Sequence, residues 1–115
     1  MRVNPVLGRR MLHAGADLRA SSGTTIRATA DGLVTHAGRA GGYGLLVTLL
    51  HQDGYETRYA HMSRILVAPG NRLRKGQMIG EVGSTGRSTG PHLHYEVRHH
   101  GRPMDPVPFM RSNKG

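Results

Sequence analysis

The sequence predicts an all-β protein, a sandwich or sheet-rich roll in which any helix is short. Three observations carry this. Glycine is abundant, at 17 of 115 residues, with six prolines, which favours many tight turns. Short runs of alternating or β-branched residues recur between those turns. No stretch keeps a helical period for long, because Gly and Ser clusters interrupt each candidate. The length suits one domain with a modest core.

Taken in order, Met1 to Leu12 reads as irregular, with Asn4-Pro5 and Gly8 as turn signals. His13-Ala14-Gly15-Ala16-Asp17-Leu18 follows. His13 and Asp17 share a face whether this segment is helical or extended, and the Ser21-Ser22-Gly23 cluster favours extended. Thr24–Ala30 reads as a strand, Asp31-Gly32 as a hairpin turn, and Leu33–Ala37 as the returning partner. Gly38–Gly44 has neither the Gly-Lys-Ser/Thr ending nor the following helix of a phosphate cradle, so a mobile loop beside a cleft is expected. Leu45–Leu50 is almost wholly apolar and should be a central strand buried on both faces.

Asp53-Gly54 marks another turn. In the strand Tyr55–His61, the even spacing places His61 in line with Tyr55, Thr57 and Tyr59. Met62–Leu66 suggests a short helical turn capped by Ser63. Gln77–Val82 reads as a strand and Gly83–Gly90 as a loop. The run after Pro91, His92-Leu93-His94-Tyr95-Glu96-Val97-Arg98, alternates as a strand. His92 and His94 then share one face, with Leu93 and Tyr95 on the other. His99-His100-Gly101 is a turn, and a Pro-rich tail runs to Gly115.

Composition narrows the chemistry. There is no Cys, so any metal must be held by His and carboxylate. The net charge of +9, from 14 Arg and two Lys against seven acidic residues, points to a polyanionic partner. Nucleic acid fits poorly, because a single-strand binder interleaves aromatics for stacking and this chain has four Tyr, one Phe and no Trp. No apolar run approaches the ~20 residues that cross a bilayer. Met1–Arg10 lacks the apolar centre of a secretion signal.

Two imidazoles on one strand can share a metal, or one can bind it while its neighbour moves a proton. A hydrolytic zinc site takes three protein ligands and leaves one position for water. His13, Asp17 and His94 would supply two imidazoles and a carboxylate, with His61 and His92 left for proton transfer. His36, His51, His99 and His100 read as structural or surface residues, and Glu96 and Arg98 as structural or solvent-facing.

The order of these pieces resembles the catalytic domain of the lysostaphin and LytM type of zinc metallopeptidases, family M23. The resemblance runs through His13-Ala14-Gly15-Ala16-Asp17, Ala30-Asp31-Gly32, Gly42-Tyr43-Gly44 and Tyr59-Ala60-His61-Met62-Ser63. It continues through Lys75-Gly76-Gln77, Ile79-Gly80-Glu81-Val82-Gly83, Ser88-Thr89-Gly90-Pro91-His92-Leu93-His94-Tyr95-Glu96-Val97 and Asp105-Pro106. It covers roughly positions 5 to 106, most of the chain. The resemblance implies His13, Asp17 and His94 as ligands of one zinc ion, and His61 and His92 as catalytic histidines.

It further implies a compact antiparallel β-sheet of sandwich-like form with a groove lined by loops, and an endopeptidase acting on cross-links or stem peptides of bacterial peptidoglycan; the chain is expected to work as a monomer in the cell envelope. That placement assumes an export signal upstream. A silent module on the same fold, binding the wall or activating an amidase, is the alternative. Residues 1–115 are expected to form one domain, which could be a piece cut from a longer chain.

Overall fold

In a computed structural model of the protein, residues 15–107 are described; His13 lies outside them. Among the described residues, nine strands form one antiparallel sheet: β1 Ala16–Arg19, β2 Thr25–Arg27, β3 Gly32–Arg39, β4 Leu45–Leu50, β5 Tyr55–Ile65, β6 Arg72–Leu73, β7 Met78–Val82, β8 His92–His99 and β9 Arg102–Met104. The path runs β1-β8-β5-β4-β3-β6, with β7 joining β5 to β2 and β9 joining β8. The only helical turns among residues 15–105 are the 3₁₀ turns Gly41–Tyr43 and Gln52–Gly54. The molecule measures 34 × 27 × 25 Å. No helix of the described residues is long and apolar enough to cross a membrane.

Register explains which face becomes the core. Tyr95 stands opposite Tyr59 on β5 and Ala16 on β1, and Tyr59 opposite Val47 on β4. Opposed residues share a face, so these four line up as one fully buried row. Val34, Leu49, Ile79, Val82 and Val97 complete the core, and Ile26 from β2 closes it. One residue along, Ala60, His94 and Asp17 form the next row and point to the opposite face.

The structure corrects four expectations. Thr25–Arg27 pairs with β7, not with the strand that follows it, so Asp31-Gly32 is a corner between different partners and not a hairpin. There the Asp31 side chain accepts a hydrogen bond from the Lys75 amide (2.7 Å), a tertiary anchor that local turn chemistry does not reveal. Met62–Ile65 continues β5 instead of turning helical, and the Ser63 hydroxyl bonds the Val82 carbonyl (2.9 Å) across to β7. The loop at Gly38–Gly44 is tied down: the Arg87 amide donates to the Gly42 carbonyl at 2.9 Å.

The fourth correction concerns His61. It does not follow the two tyrosines. Ala60 and His61 together oppose the single residue Leu46, a β-bulge, and His61 takes a left-handed backbone with φ of 60°. The bulge interrupts alternation and swings the His61 ring to the face of His92 and His94, 4.9 and 5.9 Å away between ring centroids.

Candidate active site

Four of the five singled-out side chains meet in a groove of about 600 Å³: Asp17, His61, His92 and His94. The fifth, His13, lies outside the described residues. Gly42 and Tyr43 form one wall of the groove and Arg87, Ser88 and Thr89 the other. The two walls meet at Gly44 and Gly86, both with positive φ. A Cβ on Gly86 would lie 2.3 Å from the Gly44 amide nitrogen, so the loops touch backbone to backbone.

The Asp17–His94 pair is set by strand register. The two residues face each other on β1 and β8, and His94 Nδ1 lies 2.7 Å from Asp17 Oδ1. On its far side, His94 Nε2 lies 2.8 Å from Glu96 Oε2. Burial disfavours the charged His94 ring, but its bonds to Glu96 and Asp17 outweigh this and raise its pKa above the ordinary histidine value. Burial likewise works against the Glu96 carboxylate. Hydrogen bonds from His94, Arg98 and Tyr43 prevail and hold its pKa below the usual value. Asp17 Oδ1 also lies 3.6 Å from His92 Nε2.

His61 and His92 are oriented by the backbone. His61 Nδ1 donates to the Thr85 carbonyl at 2.7 Å, and His92 Nδ1 donates to the Gly90 carbonyl at 2.9 Å. A carbonyl can only accept, so each ring carries its proton on Nδ1 and leaves Nε2 as the acceptor. Burial lowers the His61 pKa, with the neighbouring His92 and His94 adding to the effect, so His61 is neutral near pH 7. Thr85 is itself fixed: its hydroxyl donates to the Met62 carbonyl (2.6 Å) and accepts from the Leu45 amide (3.0 Å). The Gly83–Gly90 loop thereby holds His61, a dependence no spacing rule exposes.

The donor set suits a divalent ion that prefers nitrogen and oxygen ligands. A carboxylate oxygen and an imidazole nitrogen converge at the groove, and a metal would replace the proton they share. Among the described residues no three His, Cys, Asp or Glu groups form a complete set by themselves. A metal held by Asp17 and His94 would take a further donor; His13, the one expected from the sequence, stands four residues before Asp17 and lies outside the described residues.

The other histidines stay outside the groove. His36 Nε2 bonds its own strand at Gly38, and His99 stacks on Tyr55 at 4.2 Å. His51 lies among buried hydroxyls, 2.7 Å from Thr57. Glu96 is the residue that sequence reasoning underrated. It is 2% exposed, and a carboxylate two positions after His94 on the same strand face was the available signal.

Comparison with known proteins agrees with this geometry. The family model described as Peptidase family M23 matches residues 11–106. DD-carboxypeptidase/endopeptidase Mpg of Neisseria meningitidis is 55% identical over 106 residues, covering 92% of this chain and 24% of that protein. The catalytic domain of the antimicrobial peptidase lysostaphin from Staphylococcus simulans superposes with a TM-score of 0.81 at 35% identity, covering 87% of this chain and 80% of that one. A zinc-containing peptidase from Vibrio cholerae gives 0.78 at 40% identity, covering 90% of this chain and 32% of that one. The chain spans about a quarter of the length of the curated relatives it matches, 24% for both the Neisseria protein and a Vibrio cholerae peptidoglycan DD-endopeptidase. With its β8 histidine pair facing the β1 aspartate across a loop-walled groove, the chain belongs to peptidase family M23.

Proposed function

We propose that this domain is a zinc endopeptidase that hydrolyses cross-links or stem peptides of bacterial peptidoglycan, acting in the cell envelope as a monomer. The observation that carries the proposal is the meeting of two kinds of group in one groove. Asp17 and His94 converge at 2.7 Å, and the His61 and His92 rings stand 4.9 Å apart beside them. The names of the relatives, DD-endopeptidases and a zinc-containing peptidase, support the substrate class and the metal.

His13, Asp17 and His94 would hold one zinc ion. Bound there, zinc supplies Lewis-acid polarisation of the scissile carbonyl and a nucleophilic water at neutral pH. The chain's own residues do the rest. His61, neutral and with Nε2 free, accepts the proton that the attacking water gives up. His92, its Nδ1 proton held on the Gly90 carbonyl, takes up a second proton at Nε2 and from there stabilises the developing oxyanion or passes that proton to the leaving amine. The two loop walls confine the peptide so that its carbonyl meets these groups in one orientation. Arg87 on one wall adds positive charge to a groove for an anionic polymer.

The test is to measure bound metal, then incubate the protein with purified sacculi and analyse released fragments by mass. One zinc per chain, new amino termini, and loss of both on chelation are expected. Sacculi left intact by the zinc-loaded protein reject the proposal.

A further inference from the structure

We infer that Glu96 is a positioning residue for the groove, holding the His94 ring so that Nε2 keeps a proton and Nδ1 is presented to a metal; the inference rests on the zinc reading above. Glu96 does not line the groove and touches no substrate path. Its carboxylate is nevertheless among the most buried polar groups described, at 2% exposure. A buried carboxylate persists where donors surround it, and Glu96 has them on both oxygens. Arg98 Nε and Nη2 donate to Oε1 at 3.2 and 3.0 Å.

This donor count leaves one arrangement for His94. Glu96, already accepting from a guanidinium, brings no proton of its own to the 2.8 Å contact at Oε2, so His94 Nε2 must carry it. The nitrogen on the groove side, Nδ1, is then the one whose proton an ion can displace. Packing holds the pair in place: a Cβ on Gly15 would lie 2.8 Å from Glu96 Cγ and 3.2 Å from His94 Cε1, so the residue leading into β1 presses on both. A carboxylate behind a metal-binding imidazole raises the basicity of the ring and fixes its orientation.

The experiment compares zinc affinity of the wild-type domain, Glu96→Gln and Glu96→Leu by competition with a chromophoric chelator. The expected order is wild type, then Gln, then Leu, with the Leu variant weaker by about 10–100-fold. Gln keeps an oxygen for Nε2–H and Leu keeps none. Ring ¹⁵N–¹H spectra of the zinc-loaded wild type should show the His94 proton on Nε2, a readout that survives even if a variant misfolds. Equal zinc affinity in folded variants, or a His94 proton on Nδ1, overturns the inference while leaving the peptidase reading intact. A wild-type domain that binds no zinc overturns both.

Discussion

At the scale of single residues, the groove separates holding from proton transfer, and substitutions should separate them too. Asp17→Ala removes a proposed ligand and should abolish zinc binding and cleavage together. His61→Ala and His92→Ala leave the Asp17–His94 pair in place, so both should retain zinc while losing about 10²–10⁴-fold in kcat/KM, the range for removing one acid–base group. Metal analysis beside cleavage rates on a cross-linked peptide reads both. His51 offers a pH test away from the groove. Burial lowers its pKa below 6.5. The unfolded chain therefore binds the His51 proton more readily, and the stability His51 contributes is present above pH 6.5 and lost as pH falls below it. In the metal-free domain His94 has the opposite sign, its contribution being lost as pH rises through its elevated pKa. The difference in thermal midpoint between wild type and His51→Gln, followed from pH 8 to pH 5, isolates the first effect. The gap should narrow as the solution is acidified.

At the scale of elements, the site depends on contacts between loops that are distant in sequence. Gly86 shows this most sharply. It sits at φ 75°, where a Cβ would lie 2.3 Å from the Gly44 amide nitrogen. Gly86→Ala must strain the backbone and push the two walls apart, costing at least about 2 kcal/mol. Because Thr85 carries the carbonyl that holds His61, cleavage should fall further than zinc content does, measured on the folded fraction at low temperature. This coupling also marks where the sequence was legible and where it was not. The β8 face was readable, because alternation along His92-Leu93-His94-Tyr95 survives intact in the strand. The placement of His61 was not, because one bulge residue in a left-handed conformation cancels the alternation rule. The partner of β2 was hidden as well, since Thr25–Arg27 finds β7 some fifty residues on instead of its neighbour. β6 and β9, two and three residues long, carry too little pattern to announce themselves. Glu96 was visible as a residue, but its role came from burial and from Arg98 beside it.

At the scale of the whole molecule, the chain carries a surplus of +9, while the proposed reacting groups occupy one groove. Charge and chemistry should therefore respond differently to salt. Exposed charges act over a Debye length of about 10 Å at 0.1 M salt and about 3 Å at 1 M. Retention on an anionic sacculus, which sums many such charges, should weaken steeply along that range. Cleavage of a short uncharged peptide, which engages the groove alone, should change little. Sedimentation of the domain with sacculi at rising sodium chloride, beside turnover of the soluble peptide at the same concentrations, makes the comparison. Parallel loss of both would mean that the positive surface serves the groove itself and not the capture of the polymer. Retention that ignores salt would mean that the arginines do not face the wall.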